Sequence, residues 1–197
     1  MWNSLPPATR AIIAANVVAF LLQQVIGATM VRLFALWPVS VPLFEPWQLV
    51  TYAFLHGSIP HIFFNMFALF MFGRALEYFW GSRRFIVFYF ACVISAAATQ
   101  LLMSHLSGSM EPTIGASGGV FGLLLAFAMY FPRQRITLLF PPIPMPAWLF
   151  VTLYGALELV LGVTNTQAGV AHFAHLGGML GGAIVILYWR ARRISSP

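Results

Sequence analysis

Residues 113–131 read TIGASGGVFGLLLAFAMYF and place one serine among glycines at the start of a long apolar run. Glycine weakens a helix, and a polar side chain inside hydrocarbon is a functional hypothesis by default. The segment therefore predicts a buried helix that begins at Ser117. Our hypothesis is that Ser117 is a nucleophile held below the membrane surface.

The composition points to a protein that lives in lipid. Of the 197 residues, 60% are hydrophobic and 7% are charged, whereas a soluble domain carries roughly 25% charged residues. Such a chain has too little polar surface to face water. We therefore predict a polytopic membrane protein.

The residue types that are missing exclude whole classes of chemistry. The chain has no lysine and no aspartate, so a serine–lysine dyad, a lysine Schiff base and a two-aspartate protease are excluded. Cys92 is the only cysteine, which excludes internal disulfides and cysteine-rich metal sites. The net charge of +6 comes from arginines at the ends of apolar runs, so no nucleic-acid partner is expected.

Six apolar runs have about the length that a spanning helix needs. The first is too long for a signal-peptide core, and QQVIGATM offers no strong cleavage site. No internal repeat marks a second domain, so we predict one domain over 1–197, an all-α bundle of six transmembrane helices. The runs are about 10–29, 60–80, 85–104, 117–131, 147–163 and 171–189.

The arginines predict the orientation, because they collect on the cytoplasmic side of membrane proteins. With a cytoplasmic N-terminus, nine of the ten lie at that face and only Arg32 lies outside. Both termini are then cytoplasmic, and helices 2, 4 and 6 run inward. The nine are Arg10, Arg74, Arg83, Arg84, Arg133, Arg135, Arg190, Arg192 and Arg193.

Polar side chains gather near the outer ends of helices 2, 4 and 6. Ser117 precedes Arg133 by 16 residues and His175 precedes Arg190 by 15, which is about 24 Å and about 22 Å of helix in a hydrocarbon core of about 30 Å. Both should lie at matching depth below the outer surface. His61 and Asn65 share one face of helix 2 near the same end.

Small residues predict that helices 4 and 6 touch. Each contains two glycines spaced four apart, which allows close approach in lipid. Phe121 lies one turn beyond Ser117 and could place its ring against His175. The glycine pairs are Gly118 with Gly122, and Gly178 with Gly182.

A serine hydroxyl needs a base, which here must be a histidine or one of the four glutamates. His175 is the best candidate, because histidine can both take and return a proton near neutral pH. Backbone N–H groups at the start of the helix at Ser117 could stabilise an oxyanion, together with His61 and Asn65.

Three motifs, GASG at 115–118, AHLGGMLGG at 174–182 and HGSIPHIFFN at 56–65, resemble the rhomboid family of intramembrane serine proteases. The resemblance covers nearly the whole chain. It implies that Ser117, in a motif with Gly115 and Gly118, is the nucleophile and His175 the base. It also implies that His61 and Asn65 line the oxyanion site.

The same resemblance implies cleavage of single-span membrane proteins within or beside the membrane, without metal or cofactor. Substrates and lipids are then the partners, and a bacterial inner membrane is the expected location. Two departures concern substrate preference and lipid contacts rather than activity. Gln48 follows Trp47 where some relatives have arginine, and Phe121 stands where some have tyrosine.

Several residues also have plainer interpretations. Ser117 alone could cap its helix. His172 and His175 could bind a metal, but two nitrogens are too few for zinc without further ligands, so His172 is expected to hold the fifth loop. Glu158 could orient a histidine, but we favour a side chain that reaches the membrane interface.

Three further side chains are expected to have structural roles. His56 should stabilise the junction between the first loop and helix 2, and His105 should be solvated. Glu77 is expected to form an ion pair with Arg74 and Arg84. The loop at about 30–59, rich in aromatic residues, should lie in the outer interface.

Two rival functions remain open. A catalytically inactive relative could bind or escort membrane proteins. A small transporter would need polar residues along a path across the membrane, whereas here they cluster in one leaflet. Helix 5, with the loop at 162–169, could be a lateral gate.

Overall fold

The computed structural model of this protein describes residues 4–137, 142–164 and 171–192. The fold of these residues is mostly helical. The α-helices are α1 (Pro7–Phe34), α2 (Gln48–Thr51), α3 (Ile59–Ala68), α4 (Arg74–Trp80), α5 (Ser82–Ser107), α6 (Ser117–Tyr130), α7 (Ala147–Thr164) and α8 (His172–Ala191). A 3₁₀ turn at Tyr52–Phe54 follows α2, and a π-helical turn at Leu69–Gly73 joins α3 to α4.

Each predicted apolar run corresponds to a helix, with α3 and α4 forming one continuous span at Ile59–Trp80. Five helical segments are long and apolar enough to cross a membrane, which supports a multi-pass membrane protein. The sixth, α6, has 14 residues, or about 21 Å, less than the hydrocarbon thickness of about 30 Å. The count of six spans and the cytoplasmic termini therefore stay predictions.

One part of the chain departs from an all-α fold. Between α6 and α7, β1 (Arg135–Thr137) pairs antiparallel with β2 (Pro144–Pro146). The two strands are short, and prolines at both ends of β2 remove hydrogen-bond donors, so the pair cannot grow into a sheet. The prediction of helices alone missed it because three-residue strands leave no periodic signal.

Helix α6 lies at the centre of the bundle. Of its 14 residues, 10 are buried, as expected for a helix that is apolar on every side. Its partners α5 and α8 also pack extensively on each other. The predicted contact between helices 4 and 6 is confirmed, since a Cβ on Gly178 would collide with the backbone carbonyl of Gly118.

Helices α4, α6 and α8 end together at the face opposite Ser117. The Trp80 ring, at the end of α4, lies 5.4 Å from both the Tyr130 ring of α6 and the Trp189 ring of α8. Arg190 Nη2 also donates to the Met129 carbonyl at 3.3 Å. The relative direction predicted for helices 2, 4 and 6 is therefore correct. Arg193, used in the orientation argument, lies outside the described residues.

Glu77 caps α1, and its predicted ion pair with Arg74 and Arg84 is wrong. The buried carboxylate accepts the backbone N–H groups of Ala8 at 2.8 Å and Thr9 at 2.6 Å. It also accepts the hydroxyls of Thr9 and Ser82. These N–H groups have no intrahelical acceptor, and the start of a helix dipole attracts an anion. The Glu77 carboxylate therefore makes four hydrogen bonds to its neighbours rather than the predicted ion pair.

The first loop is folded and holds the segment before Ser117. Leu36 and Thr113 exchange two backbone hydrogen bonds of 2.9 Å, and Gly115 N donates to the Tyr52 carbonyl at 3.0 Å. Gln48 is fully buried. Its amide donates to the Leu43 carbonyl at 2.8 Å, so the residue that departs from the family pattern satisfies the backbone of this loop.

Candidate active site

Ser117 and His175 meet at the paired starts of α6 and α8. Ser117 Oγ lies 2.8 Å from His175 Nε2, so the hydrogen bond expected from the sequence is present. The glycine contact between Gly118 and Gly178, one and three residues further along, brings the two backbones close enough for it. A hydroxyl within this distance of an imidazole nitrogen is positioned to give up its proton.

Phe121 fixes the plane of the His175 ring. The two rings stack with centroids 4.3 Å apart and an interplanar angle of 5°, as the one-turn spacing from Ser117 predicted. The ring of Tyr154, on α7, also packs against Phe121, with centroids 4.9 Å apart. The imidazole can therefore rotate little about its bond to the chain.

Glu158 contacts this site directly, so the favoured prediction that it reaches the membrane interface is wrong. Its Oε2 lies 2.8 Å from His175 Nδ1 and 2.7 Å from His172 Nδ1. The Glu158 side chain is 5% exposed, and burial of a carboxylate requires such partners. His172 thus binds Glu158, and the loop at 165–170, which it was expected to hold, lies outside the described residues.

With Glu158 ionised, its two contacts determine which nitrogens of His175 and His172 carry protons. An ionised carboxylate only accepts hydrogen bonds, so both Nδ1 atoms must be donors. A neutral His175 then has a free lone pair on Nε2, which faces the Ser117 hydroxyl. This is the tautomer in which the imidazole can act as a base.

His61 and Asn65 lie on the opposite wall of the same site. A Cβ on Gly115 would be only 2.8 Å from His61 Nε2 and 3.6 Å from Ser117 Oγ. Gly57 N donates to His61 Nδ1 at 3.4 Å, which leaves the ring proton of a neutral His61 on Nε2. Asn65 Nδ2 donates to the His61 carbonyl at 2.9 Å and retains a second N–H. Both side chains can therefore donate into the site.

A cavity of about 530 Å³ joins these four polar residues. Its apolar lining includes Phe64 of α3, Phe72 of the π-helical turn and Phe150 of α7. A second cavity, of about 700 Å³, lies on the far side of His172 and is lined by Gln100, Ser104 and Glu111. Ser117, His175, His61 and Asn65 thus lie together at one end of the bundle, as the sequence predicted.

His56 and His105 are the other two histidines, and neither ring nitrogen of His56 has a hydrogen-bond partner among the described residues. His56 is buried, its backbone N–H donates to Gln23 Oε1 at 2.9 Å, and its ring lies 4.9 Å edge-on from the His61 ring. Burial, with a smaller effect of His61, lowers the pKa of His56 to about 4, so this ring is neutral at pH 7. His105 is exposed near the end of α5.

Glu158, His172 and His175 offer three ligating atoms within 4.8 Å of one another, which supplies the third ligand that the sequence argument lacked. Glu158 Oε2 is 2.7 Å from one Nδ1 and 2.8 Å from the other, which are hydrogen-bond distances. Tetrahedral zinc ligands lie about 3.3 Å apart, since each is about 2 Å from the metal. The three side chains are therefore spaced as hydrogen-bond partners, with a proton between each Nδ1 and the carboxylate, rather than as ligands of one zinc ion.

The family model described as the Rhomboid domain matches residues 43–192. The chain belongs to the rhomboid family. Helix α1 precedes the matched range, yet its residues Ala8, Ile12 and Ile13 pack in the main hydrophobic core of this rhomboid.

Several relatives are about one-third identical to this rhomboid over the residues that align. The presenilin-associated rhomboid-like protein of Rattus norvegicus, a mitochondrial protein, is 31% identical over 95% of this chain and 50% of its own length. Rhomboid protease GluP of Bacillus subtilis is 30% identical over 91% of this chain and 34% of its own. Rhomboid protease GlpG of Klebsiella pneumoniae is 33% identical over 61% of this chain and 42% of its own length. The chain thus spans about half the length of the mitochondrial relative, or less of the others.

Sequence reasoning did not identify the role of Glu158 in this rhomboid site. A signal existed, because a carboxylate inside the apolar run at 147–163 is unusual enough to suggest a buried partner. The choice of partner depends on α7 packing beside α8, which the pattern of one helix does not reveal.

Proposed function

We propose that this chain is an intramembrane serine endopeptidase in which Ser117 is the nucleophile and His175 the general base. The observation that carries the proposal is the 2.8 Å contact between Ser117 Oγ and His175 Nε2 inside a cavity at one end of a rhomboid bundle. Membership of a family that includes proteins named rhomboid protease supports it.

In the first step, Ser117 Oγ attacks the carbonyl carbon of a substrate peptide bond while its proton moves to His175 Nε2. The tetrahedral intermediate then collapses, the carbon–nitrogen bond breaks and His175 returns the proton to the leaving amine. Water next attacks the acyl-serine, gives a proton to His175 and releases the carboxylic acid. The same proton finally restores the serine hydroxyl.

The oxyanion needs donors that are already oriented. The first N–H groups of α6, which begins at Ser117, have no intrahelical acceptor and point out of the N-terminal end of the helix. His61 Nε2 and the second Asn65 N–H face the same space from α3. These groups come from two helices, so they would enclose the developing charge from different sides.

The proposed substrates are transmembrane segments of other membrane proteins. The cavity is bounded by α3 and α7, so a segment from the lipid would reach Ser117 between these helices. This agrees with a gate at helix 5, although residues 165–170 of its loop lie outside the described residues. A bacterial inner membrane remains part of this proposal, and the relatives include both mitochondrial and bacterial proteins.

Cleavage of a model single-span substrate in proteoliposomes tests the proposal. We expect Ser117→Ala and His175→Ala each to lower kcat by at least about 10³-fold, because nucleophile and base act as a unit. A fluorophosphonate probe should label wild-type protein at Ser117. Ser107→Ala and His105→Ala are matched controls at the exposed end of α5 and should retain wild-type rates.

Activity that survives either substitution would contradict the assignment of nucleophile and base. A wild-type protein that neither cleaves the substrate nor reacts with the probe would instead support an inactive family member that binds membrane proteins. Activity that is insensitive to chelators of divalent metals is expected, and its loss would point to a metal at Glu158, His172 and His175.

A further inference from the structure

The carboxylate of Glu158 lies between two imidazoles one turn apart on α8. A single oxygen, Oε2, contacts His175 Nδ1 at 2.8 Å and His172 Nδ1 at 2.7 Å. We infer that Glu158 is a positioning residue that completes a Ser117–His175–Glu158 triad, and that His172 holds its carboxylate in place. This inference rests on the proposed function and assigns two residues to it.

The first argument is the tautomer of His175. With Glu158 ionised, a proton on Nδ1 makes a hydrogen bond to Oε2 and leaves the Nε2 lone pair facing Ser117. The other tautomer would place two lone pairs against each other at Glu158 and a proton against the serine. A hydrogen bond to a charged group is stronger than one between neutral groups, so the base-competent tautomer dominates by at least roughly tenfold.

The second argument concerns the charge that forms during the reaction. When His175 takes the serine proton it becomes a cation, and Glu158 is then its partner at 2.8 Å. The side chains are 12% and 5% exposed, so little water screens this pair. The carboxylate therefore stabilises the charged intermediate more than the neutral starting state, as a catalytic contribution requires.

The third argument explains the presence of His172. Helix α7 buries few of its residues, among them Ala147, Val151 and Glu158, so packing alone holds the Glu158 side chain weakly. The Nδ1–H of His172, at the first position of α8, supplies a second donor to the same oxygen. The carboxylate thus stays aligned with His175 while α7 keeps a lipid-facing surface.

The surroundings leave the negative charge of Glu158 available to His175. His172 Nε2 is buried and has no hydrogen-bond partner in the described part of the chain. Tyr154 lies one turn before Glu158, His61 lies across the cavity from His175, and Glu111 lines the second cavity beside His172. Among the described residues, Oε2 makes its hydrogen bonds to the two imidazoles.

Three variants test the role of Glu158 in proteoliposomes with the same single-span substrate. Glu158→Gln keeps the size but removes the charge, and we expect kcat to fall by about 10²- to 10⁴-fold with KM within about threefold. Glu158→Asp keeps the charge on a shorter side chain and should retain more activity. Glu45→Gln, at an exposed position, is the matched control and should keep the wild-type kcat.

A matched pair at position 172 tests the second part. His172→Leu removes the donor to Glu158 and should lower kcat by about tenfold, since the carboxylate loses one of two partners. His172→Asn retains an amide N–H near the position of Nδ1 and should recover most of that loss. Equal rates for these two variants would overturn the holding role of His172.

Nitrogen NMR on histidine-labelled protein measures the tautomer itself. We expect wild-type His175 to carry its proton on Nδ1, and Glu158→Gln to populate the Nε2-protonated form. Wild-type protein protonated on Nε2, or Glu158→Gln with kcat within threefold of wild type, would overturn the inference while leaving the serine–histidine proposal intact. Failure of Ser117 labelling in the wild type would instead contradict the proposed function.

Discussion

At the scale of single residues, the backbone conformation of Gly115 shapes the candidate active site. Its φ of 130° lies where side chains are strongly disfavoured. The same residue leaves the space that His61 Nε2 occupies, because a Cβ here would approach that atom to 2.8 Å. The glycine two residues before Ser117 therefore provides both a turn and room for a hydrogen-bond donor.

This predicts that Gly115→Ala impairs the reaction more than the fold. We expect kcat to fall at least about tenfold, because His61 must move away from Ser117, and the free energy of unfolding to fall by roughly 1–3 kcal/mol from backbone strain. Gly108→Ala is the control, since φ is 69° there and no atom lies within 4 Å of an added Cβ. The Gly108→Ala variant should lose a similar free energy of unfolding but keep its kcat. An equal loss of kcat in this variant would contradict a local role for Gly115.

At the scale of the elements, distant side chains stabilise the ends of helices. Helix α1 begins after Pro6 with no side-chain cap and no acidic residue in its first turn. Glu77, on α4, supplies the missing acceptor to Ala8 and Thr9. One buried carboxylate thus joins α1 to α4, and through Ser82 to the start of α5.

Glu77→Gln should therefore loosen α1 without altering the active site. An amide oxygen can keep part of the hydrogen bonding but lacks the charge, so we expect a loss of about 2 kcal/mol in the free energy of unfolding. Denaturation in detergent, followed by helical circular dichroism, measures this. Glu45→Gln removes the same charge at an exposed site and should have no effect beyond about 0.5 kcal/mol; equal destabilisation would argue against capping.

At the scale of the whole molecule, the cavity limits the form in which a substrate of the proposed protease could react. Its volume is about 530 Å³, whereas a helix with its side chains is about 10–12 Å wide. A helical peptide group is also already hydrogen-bonded within its own segment. A substrate helix would therefore have to unwind locally before its carbonyl could reach Ser117.

It follows that substrates with helix-weakening residues near the scissile bond should be cleaved faster. We expect a single-span substrate with a Gly–Gly pair in this region to be cleaved about tenfold faster than an all-leucine span, since each glycine weakens the helix by about 1 kcal/mol. Cleavage rates in proteoliposomes at equal substrate density measure this. Equal rates would mean that unwinding does not limit the reaction, and a Gly–Gly pair far from the cleavage site controls for general effects of glycine.

Local patterns were sufficient to locate the helices and the two central side chains. Each apolar run corresponds to a helix, and α6 begins at Ser117 as the glycine-rich segment predicted. Ser117 and His175 were placed at matching depth by counting residues to an arginine, because the rise of a helix is constant. Four-residue glycine spacing then indicated which helices touch.

The sequence by itself therefore determined the positions of the long helices, their relative directions and the meeting of a serine with a histidine, since these follow from hydropathy, arginine positions and glycine spacing along the chain. Only the tertiary structure decided the partners of the buried carboxylates. Glu77 caps a helix that begins 70 residues earlier, and Glu158 binds the start of the next helix along the chain rather than reaching the membrane interface. The physical reason is that a buried charge binds whichever donors packing brings within about 3 Å, and that proximity depends on how separate helices pack.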